Sequence, residues 1–116
     1  MIVGAVIVST PQDIALIDAR KGANMFAKVD VPVLGIVQNM SHYVCPKCDH
    51  RVHIFGQDGA RRTATEMRLE FLGDIPLDIR VCETSDAGTP IVVADAEGSL
   101  AGVYKAIAQK ILDKLN

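Results

Sequence analysis

Cys45-Pro46-Lys47-Cys48 is the stretch whose residue types and spacing best suit inorganic chemistry. A C-x-x-C pair on a loop points two thiolates the same way at short separation, which fits a soft metal ion or a metal–sulfur cluster. Two thiols are half of a four-ligand site. The rest must come from neighbouring residues or from a second copy of the chain. His50 and His53 stand close enough in sequence to close a zinc knuckle within one chain. Against that closure, Cys48-Asp49-His50 leaves a single intervening residue, which is tight for two ligands of one tetrahedron. Asp49 also stands where such a knuckle often carries glycine. Either reading wants an electropositive loop to hold the thiolates, and Lys47, Arg51, His50 and His53 are placed to supply that field.

Other polar residues carry weaker signals. Asn39 follows an apolar run, where an Asn either reads a base edge or forms a turn. Cys82, between Val81 and Glu83, reads as a packing residue in a reducing compartment. His42, His50 and His53 read as solvated loop residues, Gln12 and Asp13 as helix-start polarity, and Arg61 and Arg62 as a solvated helix face. The cysteines are odd in number and one pair is too close to staple the fold. That points to a reducing compartment such as cytoplasm or mitochondrial matrix.

The elements that must position the cysteines can be read from apolar runs. Ile2 to Ser9 is nearly continuous Val and Ile, as in a strand covered on both faces. Thr10 offers an N-cap oxygen, Pro11 fits a first helical position and Asp13 puts negative charge in the first turn. The helix that follows, to about Lys28, gathers Ile14, Ile17, Met25 and Val29 on one side. Val33 to Gln38 is a second buried strand. Residues 40–58 hold the cysteine pair and all three histidines without either period, as a long loop with a metal-binding role would. Ala60 to Arg68 reads as a short helix, Glu70 to Ile75 as a third strand, and Leu77 to Pro90 as irregular. Leu100, Val103, Tyr104, Ile107, Ile111 and Leu115 mark an amphipathic C-terminal helix. Strand and helix alternate without hairpin signals, so the sheet is expected to be parallel and the class α/β. An all-apolar strand at the start normally has neighbours on both sides, which suits the second half of a larger domain.

Bulk composition narrows the partners. At 116 residues the chain is one domain or part of one, able to bury roughly 65% of the surface it exposes when unfolded. Its 49% hydrophobic and 22% charged content is ordinary for a globular protein. With 4% aromatics, no Trp and a net charge of -2, neither base stacking nor a polyanion partner is expected, so no nucleic acid is implied. The longest apolar runs are strand-sized, so no membrane insertion is expected, and no secretory signal is visible.

Several segments together resemble the Mrp/ApbC family of MinD-like P-loop ATPases, most closely its NUBPL-like mitochondrial branch and near bacterial relatives. They include Ser9-Thr10-Pro11-Gln12 after the first strand, Gln38-Asn39-Met40-Ser41 after the second, and Cys45-Pro46-Lys47-Cys48. Ile54-Phe55-Gly56 with Gly59-Ala60, Leu72-Gly73-Asp74-Ile75-Pro76, and Ser85-Asp86 with Gly88 and Pro90 complete the likeness, which covers nearly the whole chain. The resemblance implies a doubly wound parallel sheet, of which residues 1–116 form the C-terminal part. It implies a carrier of iron–sulfur clusters, a homodimer whose C-x-x-C loops share one [4Fe–4S] cluster, and delivery to apo iron–sulfur proteins such as respiratory complex I subunits. By position, Cys45 and Cys48 are then the cluster ligands, and Asn39 and Pro76 border an adenine pocket. No G-x-x-x-x-G-K-[ST] occurs in these residues. ATP and Mg²⁺ would therefore need the Walker A half, and this chain alone is not expected to hydrolyse ATP.

Overall fold

The computed structural model describes residues 2–116. In chain order it runs β1 (Ala5–Ser9), α1 (Asp13–Lys28), β2 (Val33–Gln38), the short strands β3 (Tyr43–Val44) and β4 (Arg51–Val52), and α2 (Gly59–Met67). Then follow β5 (Phe71–Asp74), α3 (Ile79–Asp86), α4 (Ile91–Ala94) and α5 (Ser99–Leu115). β1, β2 and β5 form a parallel sheet in the order β1-β2-β5, with Ser9 opposite Gln38 and Gln38 opposite Asp74. The expected α/β class and parallel sheet are therefore present.

Helices cover both faces of this sheet, because β2 is apolar on both. On one face Ile7 and Ile36 pack with Leu16 and Ala23 of α1 and with Ala60 and Ala64 of α2. On the other, Val37 and Leu72 pack with Ile75 and with Ile107 of α5, backed by Val103, Tyr104 and Ile111. Gly73 makes the second contact possible. A Cβ there would lie 2.8 Å from Ile107 Cγ1, so only bare backbone lets α5 settle on β5.

Four expectations are corrected. β1 is shorter than Ile2–Ser9 and its second face is covered only in part: Ile7 is buried and Val6 packs under α5, but Val8 is 59% exposed because α5 does not reach the end of the strand. In α1 the buried face is not Ile14, Ile17, Met25 and Val29, which are all exposed, but Leu16, Ala19, Ala23 and Phe26. The large aliphatics misled because small alanines let the helix lie close to the sheet. The helix begins at Asp13 with Gln12 at its cap, rather than at Pro11. Residues 77–90 are not irregular, since α3 lies within them. It buries no residue, so its sequence carries no apolar period, and what starts it is Asp78 accepting a hydrogen bond from the Arg80 amide at 2.8 Å. Finally, the long loop contains a hairpin, β3 antiparallel to β4, with Tyr43 opposite Val52 and Val44 opposite Arg51. Strands of two residues are too short to show alternation.

Candidate metal centre

The hairpin carries the cysteines at its tip. After Val44 the strand pairing continues as Cys45 N–H donates to His50 O at 2.9 Å, and Asp49 N–H donates to Cys45 O at 2.8 Å. Closing that turn puts Asp49 at φ 60°, the left-handed conformation that favours glycine. The substitution of Asp for Gly is thus accommodated: Asp is among the residues that tolerate this region. Cys45 is half-buried, Cys48 is exposed, and both are free thiols.

The Cys45 thiol is shifted toward the thiolate, first by the amide N–H of Lys47, then by that of Cys48 and by the Cys48 thiol, against a smaller opposing effect of burial. The expected field from Lys47, Arg51, His50 and His53 side chains is therefore replaced, at Cys45, by backbone amides turned toward sulfur. Such donors are fixed by the turn itself and need no ordering of long side chains.

Among the described residues, no group of three His, Cys, Asp or Glu side chains converges as a metal site. The single-chain zinc knuckle closed by His50 and His53 is thus not formed. His50 is exposed, whereas His42 and His53 meet edge to face with ring centroids 6.3 Å apart. Burial, the Arg51 charge and His53 hold His42 below its ordinary value, while Asp74 opposes them. His53 Nδ1 is buried without a hydrogen-bond partner. These two rings are packing residues at the hairpin base rather than solvated loop residues.

Asn39 and Pro76 are brought together. They border one recess of about 170 Å³ with Leu77, Val81, Cys82 and Tyr104. Asn39 N–H donates to Ser9 O at 2.8 Å, continuing the sheet, and its Oδ1 accepts from Met40 N–H at 3.0 Å. Cys82 is not a packing residue; it is exposed on α3, with Sγ 3.8 Å from Asp86 Oδ2. Asp78 lies between this recess and a second one that holds Cys45, Pro46, Ile79 and Arg80. Its carboxylate takes two hydrogen bonds from the Arg80 guanidinium, at 3.1 and 3.0 Å, which hold its pKa below the ordinary range.

Sequence reasoning missed Gln38. Its side chain is fully buried and fully bonded: Nε2 donates to Ser41 Oγ at 3.0 Å and to Asp74 Oδ1 at 2.8 Å, and Oε1 accepts from Ala60 N–H at 3.0 Å. A polar residue closing an apolar strand was the available signal.

A parallel sheet wrapped by helices, with a cysteine-bearing excursion after its second strand, defines the class: a doubly wound type of α/β fold. The chain belongs to the family described as ParA: NUBPL iron-transfer P-loop NTPase, whose sequence profile matches residues 1–112. It is 56% identical over 112 residues to the mouse iron-sulfur cluster transfer protein NUBPL, covering 97% of this chain and 35% of that protein. The chain thus spans about a third of the length of the curated relatives it matches. Among solved structures it is similar to a nucleotide-binding protein from Archaeoglobus fulgidus in complex with ADP (TM-score 0.68, 36% identity, 84% of this chain and 39% of that one). It shares its fold with the cell division ATPase MinD of Pyrococcus furiosus (TM-score 0.72, 23% identity, 98% of this chain and 44% of that one).

Proposed function

We propose that this chain is the cysteine-bearing part of an iron–sulfur cluster carrier. Cys45 and Cys48 supply two thiolates to a [4Fe–4S] cluster shared with the same pair in a second copy. The observation that carries this reading is a half-buried and an exposed thiol on one turn, the first primed by backbone amides, with no third His, Cys, Asp or Glu ligand beside them among the described residues. Such a pair is coordinatively unsaturated, and a twofold partner completes it with the same geometry.

The cluster is cargo. An incoming acceptor thiolate forms an Fe–S bond as the bond to Cys48 breaks, and a second exchange releases Cys45. Each exchange trades one Fe–S(Cys) bond for another, so no electron is gained or lost. Cys48, the more exposed thiol, is the first to be displaced. The recipients are apo iron–sulfur proteins, and complex I subunits are the candidates that the sequence resemblance implies. Three reduced cysteines suit a reducing compartment, bacterial cytoplasm or mitochondrial matrix.

Asn39 and Pro76 border the base of an adenine nucleotide in this reading, supported by their shared recess and by the ADP of the Archaeoglobus relative. Phosphates and Mg²⁺ would be held by a Walker A loop, the segment type that residues 1–116 do not contain. No residue here is assigned a catalytic role.

Cys45→Ser and Cys48→Ser test the assignment. Each variant, reconstituted with ferrous iron and sulfide under reducing, oxygen-free conditions, is expected to lose the cluster and the cluster-dependent dimer while staying folded. Full cluster occupancy in either variant would contradict the bridging arrangement.

A further inference from the structure

We propose that Gln38 is the positioning residue of the cysteine hairpin, stapling both roots of the 42–59 excursion to the sheet through one buried side-chain amide. The relevance of that position to cargo rests on the reading of Cys45 and Cys48 given above.

Apart from the His42–His53 contact at its base and a few backbone bonds at its roots, little fixes the excursion. From His42 to Asp58 no residue is buried, so its placement must be set where it leaves and rejoins the sheet. It leaves at Ser41 and rejoins at Gly59-Ala60. Gln38 reaches both points: Nε2 donates to Ser41 Oγ and Oε1 accepts from Ala60 N–H. The second Nε2 bond goes to Asp74 Oδ1, which also accepts from Ser41 Oγ at 3.2 Å, so the staple is anchored on β5.

The orientation of this amide follows from its partners. Ala60 N–H can only donate and the Asp74 carboxylate can only accept, so oxygen must face one and nitrogen the other. Ser41 Oγ adapts by accepting from Gln38 and donating to Asp74. Every polar group in the cluster is satisfied; without Gln38 the Ala60 N–H loses its partner, while Ser41 Oγ and Asp74 Oδ1 keep only the bond between them. Backbone bonds extend the same root: Ser41 N–H to Ile75 O at 2.9 Å and Leu77 N–H to His42 O at 2.8 Å. The returning root is seated independently, since Gly59 lies so close to Pro11 that a Cβ would sit 2.2 Å from Pro11 O.

Through Asp74 the staple also joins the hairpin to the strand that leads to Pro76. A shift at the recess of Asn39 and Pro76 and a shift at the hairpin therefore meet at one side chain.

The test uses the whole chain and Gln38→Met, which keeps length and apolar fit but removes all three bonds. Ile107→Ala, on the opposite face, is the control for general loss of stability. Amide hydrogen exchange is read at Ser41, Ala60 and Leu77 in metal-free protein, and iron and sulfide content after anaerobic reconstitution. Losing a buried hydrogen bond of this kind is worth a factor of about ten in a local opening equilibrium. Exchange at the three root amides should accelerate by about that factor in Gln38→Met beyond any change in β1 and β2. Cluster yield should fall with it. Ile107→Ala should speed exchange across the whole sheet and keep the cluster yield of its folded fraction. Identical exchange patterns in the two variants would overturn the proposal. If Gln38→Met does not fold, Ser41→Ala removes the departing root alone and must accelerate Ser41 and Leu77 selectively; unchanged exchange there overturns the proposal too. Failure of the unsubstituted chain to take up iron and sulfide would refute the carrier reading instead, while the exchange data would still decide the role of Gln38.

Discussion

The amide N–H groups of Lys47 and Cys48, with the Cys48 thiol, lower the pKa of Cys45, so the electrostatics of the thiol come from the four residues of the turn itself. Spacing alone suggested two thiols on one turn; the shared cluster was suggested by the family resemblance as well. Gln38 was not legible, because its partners Ser41, Ala60 and Asp74 lie at 3, 22 and 36 positions along the chain and only the folded sheet assembles them. Asp78 falls between these cases. Its spacing to Arg80 is a local helix-start signal, but its place between two recesses is tertiary. Asp78→Ala should lower stability by about 1 kcal/mol through loss of the cap. The Arg80 contact depresses the folded-state pKa of Asp78, so its contribution is complete above the ordinary carboxylate value of 3.8 and is lost as pH falls through the lower folded value. Urea midpoints of the two proteins should therefore differ most near neutrality and converge in acid. A gap that stays constant into acid would show that Asp78 acts without its charge.

Elements with strong apolar runs, β1, β2, β5 and α5, stand where the sequence places them, within a few residues. α1 exists as expected but turns a different face to the core, since burial followed fit rather than side-chain size. α3 escaped notice because a helix without buried residues leaves no periodic trace. The hairpin was hidden by its brevity. Element packing also depends on close approach that a pattern of apolar residues does not report. Gly59 opens α2 directly against the loop after β1, where an added Cβ would meet Pro11 O at 2.2 Å and Leu16 Cδ1 at 2.8 Å. Gly59→Ala must push α2 off that loop, and the expected cost is about 1–3 kcal/mol despite the better helix propensity of alanine. Thermal unfolding checks this; an unchanged or raised midpoint would show that the loop yields freely.

At the scale of the molecule, β1 stands at the edge of the sheet, paired among the described residues with β2 alone. Val8 on this strand is 59% exposed, and the α1 residues beside it, Ala15, Asp18, Ala19 and Gly22, are too small or too polar to cover it. An open strand edge with apolar neighbours promotes pairing between chains. Metal-free protein is expected to self-associate with concentration, and Val8→Lys should shift it toward monomer in sedimentation velocity. Equal association in both proteins would place the contact elsewhere. This association is distinct from the proposed cluster-bridged dimer of cysteine hairpins: it should need neither iron nor sulfide and should persist in Cys45→Ser.

Native mass spectrometry of the chain purified without oxygen, with iron, sulfide and zinc assayed on the same sample, tests the carrier reading most directly. The expected result is a dimer with four irons and four sulfides, the stoichiometry of one shared [4Fe–4S] cluster, falling to metal-free monomer in Cys48→Ser. A monomer holding one zinc ion would contradict it and make the hairpin a closed structural site.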